Sequence, residues 1–264
     1  MTTKMFQNHT ALVTGASSGI GADLARELAA HGANLVLVAR RVERLEELRQ
    51  QIERDFGVAV HCLPADLSSA EARDALPARV AEQGLSIDIL INNAGLGVYG
   101  EFRDVAWEAT ENMLQLDIVA LTHLTRLFVD GMVSRGRGYI MQIASTGAFQ
   151  PSPTYAAYAA AKAYVLSFGH ALHFELRGTG VSCTTVCPGV TATEFFDVSG
   201  QKKTWFHRLT IMSSTAVARL AVKRMAARRP EIVTGWMNAM TAFSMRFLPR
   251  PLMSWLAFWV MRND

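Results

Sequence analysis

Charged side chains are scarce in this sequence, and cysteine is nearly missing. Asp, Glu, Lys and Arg make up 19% of the 264 residues, and 26 basic against 23 acidic side chains leave a formal charge of +3. No basic run is dense enough to track a phosphate backbone, so nucleic acid is not expected as a partner. Three cysteines, Cys62, Cys183 and Cys187, are an odd number without metal-ligand spacing. They read as small buried apolar residues, with no metal site and no need of an oxidising compartment. Met1 to His9 lacks the apolar stretch of a signal peptide, so a cytoplasmic setting is the expectation. Linkers, low-complexity segments and internal repeats are also missing, which predicts a single domain.

What the chain does have is apolar surface, in half of its residues. It falls into short runs that alternate with longer helical patterns. Strands are predicted at Thr10–Thr14, Asn34–Ala39, Val58–Leu63, Asp88–Ile91, Tyr139–Ile143, Val181–Val186 and Glu231–Val233. Helices are predicted at Gly19–His31, Val42–Phe56, Ser69–Gln83, Trp107–Arg135, Thr154–Arg177 and Ser213–Ala227. The strands are continuous apolar runs without polar alternation, which is what a parallel sheet covered on both faces requires. Strict alternation with helices then implies an α/β, doubly wound parallel sheet of about seven strands.

Between the first strand and the first helix lies Thr14 to Gly21, TGASSGIG. Gly15, Gly19 and Gly21 let the chain reverse tightly and bring its amides close to a pyrophosphate. Ser17 and Ser18 add donors, and the helix opening at Gly19-Ile20 offers its positive end to the same anion. The spacing is G-x-x-x-G-x-G, not the G-x-G-x-x-G of the dinucleotide fingerprint. Where an NAD site carries an acidic residue at the end of the second strand, this sequence reads Ala39, Arg40, Arg41. Arginine there can pair with a 2'-phosphate, so NADP(H) is the expected cofactor, with Arg40 the main contact and Arg41 the second. Asp66 and Leu67 follow the third strand, where an adenine edge can be held. Asn92, Asn93, Ala94 and Gly95 follow the fourth; Asn92 either braces strand ends or touches the ligand.

Tyr158 and Lys162 are four residues apart in a predicted helix and share a face. A cation so close draws a phenol pKa down from its ordinary value near 10. Tyr158 can then exchange a proton with a substrate oxygen. Ser145 follows the fifth strand, and its hydroxyl can hold a carbonyl oxygen as charge develops there. Tyr155 has Ala159 at the corresponding position and makes no such pair.

Taken together, TGASSGIG, the NNAG of Asn92–Gly95, Ser145, Tyr158-Ala-Ala-Ala-Lys162 and Pro188-Gly189 before Thr193 resemble the short-chain dehydrogenase/reductase family. The resemblance runs from about Thr10 to Glu194. It implies a Rossmann-type sheet and carbonyl/alcohol chemistry, with proton transfer by Tyr158, help from Lys162 and carbonyl positioning by Ser145. It also implies that Pro188, Gly189, Val190 and Thr193 lie against the nicotinamide end of the cofactor. One position departs from the pattern: Asp117 stands where the family usually has an asparagine in its proton relay. Either the backbone carbonyl serves the relay, or the carboxylate alters the charge balance of Lys162.

On this reading residues 8–192 form the dinucleotide-binding and catalytic core, 193–230 a substrate lid and helix, and 236–264 an apolar extension. The aromatic lid residues Phe195, Phe196, Trp205 and Phe206 suggest an apolar substrate, with Leu96, Val98, Tyr99 and Phe149 on the opposite wall; His207 reads as lid surface. Trp236 to Met261 is strongly apolar, but Arg246, Pro249, Arg250 and Pro251 cut it into pieces too short to cross a bilayer. A subunit interface, a cover for the cleft and a helix lying on a membrane surface all fit it. Small residues in the helix from Thr154 allow close helix pairing, and with the resemblance they predict a homodimer or homotetramer. The leading expectation is an NADP(H)-dependent reductase of an apolar ketone or aldehyde, or the reverse alcohol dehydrogenase. The alternatives are a non-catalytic NADP(H)-binding redox sensor and a membrane-associated reductase of lipids or steroids.

Overall fold

The structure is a computed structural model that describes residues 4–195, 199–201 and 211–261. Its strands are β1 (Thr10–Thr14), β2 (Asn34–Val38), β3 (Val60–Cys62), β4 (Ile89–Asn92), β5 (Gly138–Ile143), β6 (Val181–Cys187), β7 (Thr191–Ala192), β8 (Met212–Ser213) and β9 (Glu231–Val233). Seven of them form one parallel sheet in the order β3-β2-β1-β4-β5-β6-β9, while β7 and β8 pair on their own. The helices are α1 (Gly19–Ala30), α2 (Val42–Phe56), α3 (Ala70–Glu82), α4 (Trp107–Leu114), α5 (Leu121–Ser134), α6 (Ala156–Glu175), α7 (Ser214–Ala226), α8 (Trp236–Ser244) and α9 (Arg250–Met261).

Successive side chains of a strand point to opposite faces, and here both faces are covered. Ala11, Val13, Leu35 and Leu37 pack on one side with Leu24 and Leu28 of α1, Leu45 of α2 and Val222 of α7. Leu12, Val36, Leu90 and Ile140 pack on the other with Leu76 of α3, Leu124 and Phe128 of α5 and Leu172 of α6. Each such leucine contributes about 1.5–3 kcal/mol when fully buried. This two-sided core is why the strands read as unbroken apolar runs. The chain order reverses beside β1, which pairs with both β2 and β4. At such a reversal the loops leaving neighbouring strands diverge and open a crevice at their carboxyl ends.

Two sequence expectations need correction. The third strand is shorter than Val58–Leu63, and the helix expected from Trp107 to Arg135 is unbroken but not α-helical throughout. Between α4 and α5, residues Gln115–Ala120 form a π-helical turn. Such a turn takes in an extra residue and shifts the side chains after it around the axis. Asp117 lies in this turn and is fully buried. The apolar stretch from Trp236 is broken where expected: α8 ends at Ser244, a 3-10 turn covers Met245–Phe247, and α9 begins at Arg250. Among the described residues no helix is long and apolar enough to cross a membrane.

Candidate active site

The glycine turn is built without room for side chains. Gly15 and Gly19 have φ of +63° and +55°. A Cβ on Gly21 would lie 2.3 Å from the Gly15 carbonyl oxygen. The residue after β4 fixes this turn from behind: Asn93 Nδ2 donates to the Thr14 carbonyl at 2.9 Å and to that of Gly15 at 3.3 Å. Thr14 Oγ1 in turn accepts from the amides of Asn93 and Ala94. Asn92, left open by the sequence, is a brace. Its buried amide donates to Thr125 Oγ1 at 2.9 Å and to Gln142 Oε1 at 3.0 Å.

Both arginines after β2 face the crevice but differ in engagement. Arg40 is exposed at its rim. Arg41 folds back over the glycine turn and donates to Ser17 Oγ at 3.1 Å and Ser18 Oγ at 2.8 Å. Its other arm meets Glu194 at 3.0 Å, which Arg44 also reaches. Hydrogen bonds from Arg44 and then Arg41 hold the Glu194 carboxyl at about 2. After β3, burial opposes ionisation of Asp66, yet hydrogen bonds from Ser68 and the charge of Arg40 hold its pKa below the ordinary value. The turn is pinned by Arg73, a buried residue that sequence reasoning missed, which donates to the Leu67 carbonyl at 2.7 Å.

Ser145, Tyr158 and Lys162 come together at the inner end of the crevice. Ser145 caps a short 3-10 turn, accepting from the Gly147 amide at 3.1 Å, and works to lower the pKa of the Tyr158 phenol. The Lys162 ammonium stands 5.5 Å from the centre of the Tyr158 ring. It donates to the Ile143 carbonyl at 3.3 Å and lies 2.9 Å from Asp117 Oδ2. Asp117 Oδ1 accepts from the Leu96 amide at 2.8 Å. A Cβ on Gly95 would come within 3.0 Å of Asp117 Oδ1 and 3.2 Å of Lys162 Nζ. The glycine of the NNAG motif therefore makes space for this ion pair.

The charges shift one another. Burial raises the Asp117 pKa against the pull of Lys162. Burial works to lower that of Lys162, but Asp117 and then Tyr158 outweigh it, and the ammonium is held more firmly than usual. For Tyr158 the expectation of a lowered pKa is corrected. Burial raises it, Lys162 pulls it down, and Asp117 pushes it up again, so the phenol ends above its ordinary value.

The crevice has a volume of about 680 Å³ and reaches from the glycine turn to these three residues. Gly15, Ser17, Ser18, Gly19, Ile20, Asp66, Leu67, Ala94, Gly95, Pro188, Gly189, Val190 and Thr193 all line it, with the Thr193 side chain against Gly19. Leu96, Phe149 and Phe195 line the crevice wall. Val98 and Tyr99 are not on that wall. Gly97, whose missing side chain admits the Phe195 ring, lies just before them, and Tyr99 packs edge-on against Tyr155 at 5.2 Å. Phe195 stands 5.6 Å from the Tyr158 ring. Phe196, Trp205, Phe206 and His207 lie outside the described residues. Sequence reasoning did not foresee Ser152, Gln201, Asn238, Met245, Leu256 and Ala257 on the wall. These positions depend on long-range packing, and no local motif marks them.

The sequence pattern of the family described as short chain dehydrogenase matches residues 9–204. The chain belongs to this family. Among its relatives is 17-beta-hydroxysteroid dehydrogenase type 3 of Mus musculus, 34% identical over 197 residues, covering 74% of this chain and 64% of that protein. The chain thus spans less than two thirds of the length of this relative. An uncharacterized oxidoreductase of Myxococcus xanthus is 30% identical over 244 residues, covering 92% of this chain and 94% of its own. Among solved structures, a short-chain dehydrogenase from Sphingobium yanoikuyae in complex with NADPH has 33% identity and a TM-score of 0.82, covering 93% of this chain and 95% of that one.

For a short-chain dehydrogenase the crevice passes a simple test of fit to a dinucleotide. The cradle of Gly15, Gly19 and Gly21 is closed to side chains, and Gly15 and Gly19 line the cavity. The second strand ends in Arg40 and Arg41 instead of a carboxylate.

Proposed function

We propose that this chain is an NADP(H)-dependent carbonyl reductase, or the reverse alcohol dehydrogenase, acting on an apolar ketone or aldehyde. What carries the reading is the convergence of Ser145, Tyr158 and Lys162 on one cavity that also contains the glycine turn. Gly15, Ser17, Ser18, Gly19, Ile20 and Gly21 are assigned to the pyrophosphate, and Arg40 and Arg41 to the 2'-phosphate. Asp66 and Leu67 would hold the adenine edge, Asn93 to Gly95 the nearby ribose, and Pro188 to Val190 with Thr193 the nicotinamide end. The similar short-chain dehydrogenase from Sphingobium yanoikuyae is in complex with NADPH, which supports the choice of cofactor.

The bound cofactor supplies the hydride. The protein's own part is the proton and the orientation. Ser145 holds the carbonyl oxygen, and Tyr158 gives it a proton. A phenol whose pKa is raised stays protonated at neutral pH, which suits the reducing direction. Lys162 limits that rise and fixes the ribose, while Asp117 sets how strongly the ammonium acts on the phenol.

Leu96, Phe149 and Phe195 favour an apolar substrate, and Phe196 and Trp205 are assigned to the same lid. Residues 193–230 would act as lid and supporting helix, and 236–264 as an extension over the cleft. The exposed Tyr164 and Phe174 of α6 favour pairing of this helix across a two-fold axis.

The reading is tested by NADPH consumption with ketones, aldehydes, ketosteroids and 3-oxoacyl thioesters. Turnover is expected in at least one class and should fall about 10²- to 10⁴-fold in Tyr158→Phe with NADPH binding retained. Binding of NADPH without turnover on any of them overturns it.

A further inference from the structure

Helices α8 and α9 carry their apolar residues on the side facing water. In α8, Asn238 and Ala242 are buried, while Trp236 is 78% exposed and continues through Met240 and Phe243 to Phe247, which is 73% exposed. The spacing of four, three and four residues makes this one row along the helix and its 3-10 extension. The inversion recurs in α9. Met253 and Ala257 are buried; Leu252, Trp255, Leu256 and Trp259 form an exposed row, the two tryptophans 59% and 56% exposed. Single exposed apolar residues are ordinary, but two successive helices with continuous rows mark a binding surface.

The charges on this segment have one sign. From Trp236 to Met261 the ionisable side chains are Arg246 and Arg250, with no acid among them. Arg246 lies 5.8 Å from the Phe243 ring centre, at the border of the apolar row. Large tryptophans beside arginine are the chemistry of the zone between acyl chains and phosphates. The surface is also continuous with the cleft, because Leu256 belongs to the α9 row and, with Ala257 and Met245, lines the cavity. A second copy of the chain fits this face poorly. A two-fold contact through this face would join two surfaces whose only charges are arginines, with no acid from either helix to pair with them.

We propose that α8 and α9 dock on an anionic phospholipid bilayer, from which the cleft draws its carbonyl substrate. The docking rests on these two helices alone. The substrate class, a carbonyl compound dissolved in the bilayer, rests on the reductase reading above.

Flotation of the full-length protein with phosphatidylcholine vesicles, with and without phosphatidylglycerol, tests the docking. Two basic residues near the surface should make binding to the anionic vesicles about thirtyfold tighter. Trp236→Ala/Trp255→Ala/Trp259→Ala should stay with the unbound protein, and Arg246→Glu/Arg250→Glu should lose the preference for anionic lipid. Both should bind NADPH as the wild type does, since none of these side chains lines the cavity. Turnover of a long-chain ketone should rise on adding anionic vesicles and lose that rise in the tryptophan variant, with a short water-soluble ketone unaffected. A wild type that does not float, or that floats no better than the tryptophan variant, overturns the docking. So does a wild-type dimer that ignores vesicles and becomes monomeric in that variant, which would assign the face to a second copy. Flotation as expected with no carbonyl turnover upholds the docking and overturns the reductase reading.

Discussion

The ammonium of Lys162 lies 2.9 Å from a carboxylate oxygen of Asp117, and both side chains are buried. A lone cation would draw the Tyr158 phenol down; the anion behind it offsets part of that pull. Asp117→Asn removes the anion and keeps the shape, so the phenol pKa should fall. Reduction needs the protonated phenol and oxidation the tyrosinate. The alkaline limb of the first and the acid limb of the second should therefore both move to lower pH. Profiles of kcat/KM against pH in the two directions measure this, and superimposable profiles for wild type and variant would remove Asp117 from the proton chemistry.

Asp117 also shows what a sequence can and cannot convey. Its identity and its departure from the family pattern were legible, as were the strands of the doubly wound sheet, because a sheet buried on both faces leaves unbroken apolar runs. The pairing of Tyr158 with Lys162 followed from helical spacing. The π-helical turn at Gln115–Ala120 was not legible, since an apolar helical pattern runs through it without interruption. The direction of the Tyr158 shift was missed because burial, a property of the whole fold, outweighs the nearest charge. The same holds for the wall residues Asn238, Leu256 and Ala257, which distant packing brings to the cleft.

Arg40 and Arg41 should separate in a cofactor assay. A bidentate pair with a phosphate contributes about 1.5–3 kcal/mol, or roughly tenfold to a hundredfold in affinity. Arg40→Ala and Arg41→Ala should each raise the KM for NADPH by such a factor and leave that for NADH nearly unchanged. Arg41→Ala should in addition leave Glu194 held by Arg44 alone. Equal losses with both cofactors would assign the arginines to the fold instead of the 2'-phosphate.

Gly97 gives access to the lid without touching the proton chemistry. A Cβ there would meet Phe195 Cζ at 2.3 Å. Gly97→Ala should push the ring away from Tyr158 and raise the KM for a bulky apolar ketone, with NADPH binding unchanged. The pairing of Gly97→Ala with Phe195→Ala, measured as a double-mutant cycle, should give a combined effect smaller than the sum. Strict additivity would mean that the two positions act separately.

Stability has its own sensitive point at Gly169, where α6 lies against β6. An added Cβ would stand 2.0 Å from Thr185 Oγ1. Gly169→Ala should destabilise the protein by about 1–3 kcal/mol through overpacking, despite alanine's better helix propensity. Urea denaturation reads the change, and a variant as stable as the wild type would show that the helix shifts freely on the sheet.

The wall of the cleft has a consequence for how substrate range evolves. The family pattern ends at residue 204, whereas Asn238, Met245, Leu256 and Ala257 on the wall all come later in the chain. The part of the wall formed by Asn238, Met245, Leu256 and Ala257 thus lies on a stretch of sequence separate from the reacting groups, whereas Leu96, Phe149 and Phe195 lie on the same stretch as those groups. Exchange or drift of the last two helices can retune what enters the cleft while the reacting groups stay untouched, so two relatives alike through residue 204 can share a reaction and differ in diet.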